Sequence, residues 1–192
     1  MVEITLDNGV KGVGEGYLAV FAPEVFRAIV DLCRPYLEGT EAFDRKERVR
    51  DLCRICDYWS LQGAARHVIS AFEIALVDAQ SKSMGKPAWQ LFTDSPDTRI
   101  RAYGSGGICD TKEHFTQEMD MLSQLGIDLF KIRSVRTEIH RTAWVLNEAN
   151  KRGMKVGVDM CQNLANPPQA VNDVVQFIEQ SQNLSGQEMA FV

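Results

Sequence analysis

The first part of the chain changes from a two-residue to a helical hydrophobic period. Residues 2–16 alternate between apolar and polar positions, and Asn8-Gly9 predicts a type I′ turn between two antiparallel strands. Helical spacing follows, with a helix that opens at Pro23, a second over residues 44–58 and a third over residues 63–84. The first of these helices has a predicted apolar face of Val25, Ile29, Leu32 and Cys33.

From about residue 99 onward, apolar strands alternate with helices. We expect strands over residues 100–105, 128–134 and 155–161, helices over residues 112–125 and 137–152, a third helix from after Pro168 to about Gln182, and the start of a fourth strand over residues 188–192. Such alternation is typical of a parallel sheet. The pattern predicts an α/β protein, with an α+β unit over residues 1–95 and the first half of a (β/α)-barrel over residues 96–192.

The barrel pattern is incomplete within the 192 residues. A closed eight-stranded barrel takes about 250 residues, whereas three complete strand–helix units and a stub are found here. We therefore expect a site at the mouth of this barrel to need residues from further strands.

Composition excludes two classes of partner. The chain has 21 Lys and Arg residues against 26 Asp and Glu residues, a net charge of −5, with no basic patch. Such a chain has no electrostatic reason to bind nucleic acid or an anionic membrane. No apolar run reaches the roughly 20 residues of a membrane helix, and the N-terminus has no signal-peptide pattern.

Five cysteines indicate reduced thiols and hence a cytoplasmic protein, because their number is odd and no secretory signal accompanies them. Cys53 and Cys56 form a C-x-x-C in a predicted helix. Without a second pair or suitably spaced histidines, packing explains them better than zinc binding.

Strand periodicity places two cations on one face of the second barrel strand. Phe130 and Ile132 suit the side that faces the helices, which leaves Lys131 and Arg133 pointing into the barrel near its C-terminal end. Two inward cations require an anion nearby, either a substrate carboxylate or metal-ligand carboxylates. The alternative is a structural charge pair between strands.

The third strand places Asp159 and Cys161 on its inner face by the same logic. An inward carboxylate suits a hard divalent ion such as Mg²⁺. A cap on the following turn is the structural alternative for Asp159.

Three segments carry a family resemblance. VEITLDNGVKGVGEG at residues 2–16 resembles a glycine-rich hairpin, SAFEIALVDAQSKSMGKPAWQLF at residues 70–92 resembles a helix that leads into a barrel, and LFKIRS with VGVDMCQN resembles the ends of the second and third barrel strands. Together they resemble the mandelate racemase and muconate lactonizing enzymes of the enolase superfamily. The resemblance implies a capping domain without its first strand and a barrel cut short, so that the chain is shortened at both ends.

The resemblance also implies chemistry. Members of this superfamily abstract a proton next to a carboxylate, with Mg²⁺ stabilising the ene-diolate. We expect a lyase that dehydrates a sugar acid in the complete protein, with this part alone inactive. The alternatives are racemisation, epimerisation or cycloisomerisation by an isomerase, a non-catalytic binding homologue, and a half-barrel that pairs with itself. A small-molecule carboxylate substrate and a symmetric homo-oligomer are implied as partners.

Two positions depart from the family pattern. Arg133 stands where a second lysine is common, and arginine is a poor base because its pKa exceeds 12. The base is then Lys131, which a neighbouring cation would make less basic, or a histidine outside this chain, with Arg133 binding substrate. Cys161 replaces an asparagine and is expected to contact substrate, as is Tyr17, which follows the glycine-rich turn and would reach over the barrel mouth.

Overall fold

The computed structural model describes residues 1–60, 62–96, 99–107, 111–160 and 169–192. The chain divides into two units, Met1–Thr98 and Arg99–Val192. Each unit has a hydrophobic core of its own. No helix in the described ranges is long and apolar enough to cross a membrane.

The first unit is an antiparallel hairpin packed on helices. Its elements are strands β1 (Val2–Thr5) and β2 (Lys11–Gly14) and helices α1 (Leu18–Phe21), α2 (Pro23–Cys33), α3 (Arg45–Ser60) and α4 (Ala64–Ser83), with 3₁₀ turns at Arg34–Tyr36 and Ala88–Leu91. β1 and β2 pair with Val2 opposite Gly14 and Thr5 opposite Lys11. The predicted hairpin and three long helices are present, and α1 is an additional short helix.

The hairpin turn differs from the predicted type. The Gly9 amide donates to the Leu6 carbonyl at 2.8 Å, and the Leu6 amide donates to the Val10 carbonyl at 2.9 Å. Gly9 has φ +80°, whereas no described non-glycine residue, Asn8 included, has a positive φ. A type I′ turn needs positive φ at both central residues. The prediction was wrong because Asn-Gly also suits this three-residue loop, in which only the glycine is left-handed.

β2 approaches α4 more closely than side chains would allow. A Cβ atom on Gly12 would lie 2.1 Å from the Ala75 carbonyl oxygen, and one on Gly14 would lie 1.8 Å from that of Ala71. Strand glycines of this kind mark close backbone approach. The small residues that face them, Ala71, Ala75 and Ala79, are fully buried, so a glycine strand and an alanine helix face together determine the packing distance.

The buried face of α2 is partly different from the predicted one. Ile29 and Cys33 are buried as expected, together with Phe26, but Val25 and Leu32 are 47% and 46% exposed. Phe26 and Cys33 are seven residues apart, and so are Val25 and Leu32. Two neighbouring faces of the helix therefore show the same helical spacing of apolar residues. Packing against α4 selects the face that carries the aromatic ring.

Two of the cysteines belong to the core of the first unit. Cys33 and Cys56 are fully buried, whereas Cys53 is partly exposed and accepts a 3.1 Å hydrogen bond from Arg66 Nη1. Burial, with the Cys56 thiol alongside, raises the pKa of Cys33 to about 12. Burial is also the main cause that raises the pKa of Cys56. Both thiols are therefore protonated at neutral pH, as expected of packing residues.

Thiol reactivity should follow this burial. Because the thiolate is the reactive form, we expect an aromatic disulfide reagent at pH 8 to modify Cys53 at least about tenfold faster than Cys33 or Cys56. Peptide mapping by mass spectrometry after timed quenching would measure the three rates. The same reaction in denaturant is the control and should equalise them. Equal rates in the folded protein would contradict the packing described for the two buried thiols.

The second unit is a parallel sheet covered by helices. Its elements are β3 (Gly104–Ser105), α5 (Lys112–Gln124), β4 (Leu129–Ser134), α6 (Ile139–Asn150), β5 (Lys155–Met160) and α7 (Val171–Ser185). The strand order is β3-β4-β5, with both pairs parallel. Gly157 also forms a parallel bridge with Phe191, so the expected fourth strand begins beside β5. The first strand is shorter than predicted, and Ile100 is 87% exposed.

Candidate functional site

The two faces of the sheet follow the predicted alternation. Phe130, Ile132, Val156 and Val158 are at most 1% exposed and pack in a core with residues of α5, α6 and α7. Lys131, Arg133 and Asp159 alternate with them and occupy the opposite face, here called the inner face. Lys131, Arg133 and Asp159 thus lie on the face opposite the buried residues, as strand alternation predicts.

Lys131 and Asp159 form an ion pair on the inner face. Lys131 Nζ lies 2.9 Å from Asp159 Oδ2, and the two side chains are 18% and 39% exposed. In the strand register Lys131 is opposite Gly157 and Arg133 is opposite Asp159. The lysine therefore reaches diagonally toward the carboxyl end of the neighbouring strand. This contact is an interstrand charge pair, which is the structural alternative to a binding role.

The ion pair stabilises the charged form of the lysine. The hydrogen bond to Asp159 is the main cause that raises the pKa of Lys131 above its ordinary value, while desolvation and nearby Arg133 act in the opposite direction. Arg133 acts to lower the pKa of this lysine, as expected of a neighbouring cation, but the Asp159 carboxylate outweighs it and the net direction is upward. Lys131 is a cation at neutral pH.

Arg133 presents its guanidinium on the exposed part of the inner face. Among the described residues, none forms a hydrogen bond or an ion pair with this side chain, although Asp159 is its neighbour across the strands. An exposed guanidinium of this kind can bind a planar carboxylate through two parallel hydrogen bonds.

The end of β4 is held by a polar network that the sequence analysis missed. Arg141 Nη2 donates to the Arg133 carbonyl at 2.8 Å and forms an ion pair with Glu138. Glu138 Oε2 accepts a 3.2 Å hydrogen bond from Ser134, which also contacts Thr142 at 3.0 Å. The network fixes the backbone that presents Arg133. A Glu directly before a helix that follows a strand was the available signal.

Two aromatic residues lie beside the ion pair. Lys131 Nζ is 5.9 Å from the centre of the Tyr103 ring, and that ring meets Phe191 edge to face with centres 6.2 Å apart. Phe191 lies over Gly157, where a Cβ atom would be 2.2 Å from the ring. Neither aromatic residue was singled out from the sequence. Tyr103 lies two residues before Ser105 and so shares its face, which was the available signal.

The other two predicted contact residues are Cys161 and Tyr17. Cys161 lies outside the described residues. Tyr17 belongs to the first unit, is 64% exposed, and meets Phe21 edge to face at 5.1 Å. Substrate contact by either residue stays a prediction.

The described residues do not form a magnesium site on their own. Asp159 has the carboxylate chemistry that Mg²⁺ prefers, but the ion requires near-octahedral oxygen coordination. No group of three or more His, Cys, Asp or Glu side chains in the described ranges is arranged to hold a metal ion. Asp159 is thus a single candidate ligand, already paired with Lys131.

Comparisons with known proteins agree with the fold. Residues 1–93 match the domain described as mandelate racemase / muconate lactonizing enzyme, N-terminal domain. The D-gluconate/D-galactonate dehydratase of Picrophilus torridus is 26% identical over 143 residues, which are 73% of this chain and 36% of that protein.

Two solved structures share the fold over nearly the whole chain. The 3,6-anhydro-D-galactonate cycloisomerase from Zobellia galactanivorans superposes with a TM-score of 0.79 at 22% identity, over 98% of this chain and 51% of its own. A mandelate racemase/muconate lactonizing protein from Paracoccus denitrificans PD1222, complexed with magnesium, gives a TM-score of 0.70 at 22% identity, over 95% and 51%.

The α+β unit is identified with the N-terminal domain of the mandelate racemase/muconate lactonizing enzyme family by the match over residues 1–93. The parallel strand–helix sheet of the second unit has the fold that the two solved structures share. The family resemblance and the fold class expected from the sequence are confirmed. The chain spans 36% of the dehydratase and 51% of each structure.

Proposed function

We propose that this chain supplies the capping domain, residues 1–95, and the first barrel strands, residues 96–192, of a magnesium-dependent lyase. The complete protein would abstract the proton next to the carboxylate of a sugar acid and eliminate water. The observation that carries the proposal is the ion pair of Lys131 with Asp159 beside Arg133, on the inner face of adjacent parallel strands, with Arg133 and Asp159 near the carboxyl ends. The likeness to a sugar-acid dehydratase supports the substrate class.

Arg133 is the proposed binder of the substrate carboxylate or a neighbouring hydroxyl. Its side chain is exposed, and its main chain is tied to Arg141, so an incoming anion meets a donor whose backbone is already ordered. A charge-assisted pair of this kind is about twice as strong as a neutral hydrogen bond. Arginine does not accept the substrate proton, because its pKa exceeds 12.

Lys131 supplies a second positive charge near the bound carboxylate. In its pair with Asp159 it is protonated, so it stabilises negative charge rather than accepting a proton. The general base is then Lys131 in a rearranged site or a histidine from outside this chain. A single base suits elimination of water better than racemisation, which uses a base on each face of the substrate.

Asp159 is the proposed oxygen ligand that this chain contributes to a Mg²⁺ ion. When bound, the ion would neutralise charge that develops on the substrate carboxylate. The further ligands would come from outside the described residues, because these provide no group of three candidate ligands. Ligation also requires Asp159 to share its carboxylate with Lys131 or to release it.

The test is turnover by the protein at the full length found in its source, whose intact mass is compared first with the 21.6 kDa of this chain. We expect Mg²⁺-dependent formation of an α-keto acid from one or more sugar acids, abolished by EDTA. Arg133→Gln should raise KM about 10- to 100-fold, because a hydrogen bond to a charged group is lost. Arg136→Gln is the matched control, because Arg136 pairs with Asp173 at 3.1 Å and is 60% exposed.

Three results would contradict the proposal: turnover that survives EDTA, equal kinetics of the two arginine variants, or no α-keto acid from any sugar acid. Exchange of the α-proton for deuterium without loss of water would indicate epimerisation instead. Conversion to an isomer would indicate cycloisomerisation, as in the name of the Zobellia protein.

A binding protein without catalysis is the second candidate. It is favoured by Arg133 in place of a second lysine and by the mutual neutralisation of Lys131 and Asp159. Calorimetry with sugar acids would then show saturable binding that is independent of Mg²⁺ and lost in Arg133→Gln, with no product formed.

A symmetric homo-oligomer in the cytoplasm completes the proposal. Its alternative is a half-barrel that pairs with itself through an open sheet edge. Sedimentation of the complete protein and of this chain over a range of concentrations separates the two. Dimerisation of this chain alone would support self-pairing.

A further inference from the structure

We infer that Tyr103 is a positioning residue for Lys131. Its ring contacts the ammonium group from the side of the amino ends of the strands, while Asp159 contacts it from the side of the carboxyl ends. The inference rests on the proposed function, because only there does the placement of Lys131 affect a substrate.

Tyr103 lies directly before β3, with its ring on the inner face beside Lys131. Ser105 is the register partner of Lys131, and Tyr103 lies two residues before it on the same face. Gly104 faces the other way, because a Cβ atom there would lie 2.2 Å from the side chain of Leu122 in α5. Tyr103 is thus two residues nearer the amino ends of the strands than the register partner of Lys131 in β3, whereas Asp159 is two residues nearer the carboxyl ends than the partner in β5, Gly157.

The distance is within the range of a cation–π contact. Lys131 Nζ lies 5.9 Å from the ring centre, and such contacts extend to about 6 Å. With Asp159 Oδ2 at 2.9 Å, the ammonium lies between an aromatic ring and a carboxylate. If the carboxylate takes another partner, the ring is the contact that keeps the lysine on the inner face.

Phe191 fixes the orientation of the ring. It meets Tyr103 edge to face, with centres 6.2 Å apart and planes at 65°. Phe191 occupies this position because Gly157 has no side chain to displace it. Aromatic pairs in this arrangement are stabilising. The pair of rings connects the residue before β3 with the bridge partner of β5.

The contact between the ring and the ammonium group determines which variants are informative. The ring, rather than the hydroxyl, makes the contact with the ammonium, so Tyr103→Phe should preserve it and Tyr103→Leu should abolish it. Tyr103 is 50% exposed, so neither substitution removes a core residue. Tyr58→Leu is the matched control, because Tyr58 is fully exposed in the first unit.

The contact is tested by NMR with ¹³C-labelled lysine in this chain. The ε-methylene signal of Lys131, assigned by its disappearance in Lys131→Arg, should be shifted upfield by the ring current. The shift should persist in Tyr103→Phe and Tyr58→Leu and be lost in Tyr103→Leu. An unshifted Lys131 signal in the unmodified chain, or equal spectra for the two Tyr103 variants, would overturn the inference.

The positioning role is tested by kinetics in the complete protein. Tyr103→Leu should lower kcat about three- to tenfold, as expected for loss of one cation–π contact, with KM changed less and Tyr103→Phe near the unmodified value. Unchanged kcat in Tyr103→Leu, with turnover otherwise normal, would overturn the role. A protein that shows the ring-current shift but no turnover contradicts the proposed function and supports the contact itself.

Discussion

Gly14→Ala is expected to destabilise the first unit by about 3 kcal/mol or more, at the upper end of the cost of overpacking. The added methyl group would lie 1.8 Å from the Ala71 carbonyl oxygen and 2.8 Å from the Ala75 amide nitrogen. These are main-chain atoms of α4, which cannot rotate away as a side chain can. Relief requires β2 to lift from the helix, which exposes part of the core formed with Val68, Phe72 and Ala75.

Denaturant unfolding combined with hydrogen exchange measures this effect. Exchange in peptides of α4 reports on the first unit and should accelerate strongly in Gly14→Ala. Val13→Ala is the control, because Val13 lies in the same strand and is 37% exposed. Similar unfolding free energies for the two variants would show that the hairpin does not pack on α4 as described.

Phe130→Ala is expected to destabilise the second unit by about 3–5 kcal/mol, the usual cost of removing a buried aromatic ring. Phe130 is fully buried between the sheet and its helices and meets Phe115 edge to face at 6.4 Å. The cavity lies directly behind the strand that presents Lys131 and Arg133. Under the proposed function, sugar-acid binding by the complete protein should weaken together with stability, although Phe130 faces away from the inner face.

Chemical denaturation followed by tryptophan fluorescence provides the measurement, since Trp144 lies beside the same core. Leu125→Ala is the matched control, because Leu125 is 67% exposed and should cost less than about 0.5 kcal/mol. A loss below about 1 kcal/mol in Phe130→Ala would be inconsistent with a close-packed core at this position.

The sequence predicted the site as far as strand periodicity extends. Apolar Phe130 and Ile132 determined which face of β4 is buried, and the charged residues between them then had to lie on the other face. Pairing between strands is a tertiary property. Neither the contact of Lys131 with Asp159 nor its effect on the pKa of the lysine could be read from either strand alone.

Contacts between residues that are far apart in the sequence were even harder to predict. Tyr103 and Phe191 are separated by 88 positions, and they meet because Gly157 leaves space on the inner face of the sheet. On α2 the helical period allowed two faces, and the tertiary packing selected one of them. The same limit applies to the turn at Asn8, because Asn-Gly is compatible with both a two-residue and a three-residue loop.

The contact of Gly12 and Gly14 with α4 restricts how mutations in the first unit can be compensated. Where two side chains meet, a larger residue on one element can be matched by a smaller one on the other. Here the nearest opposing atoms are the carbonyl oxygens of Ala75 and Ala71, which every amino acid would place there. A genetic selection for suppressors of Gly14→Ala should therefore return reversion to glycine, and no substitution at either alanine.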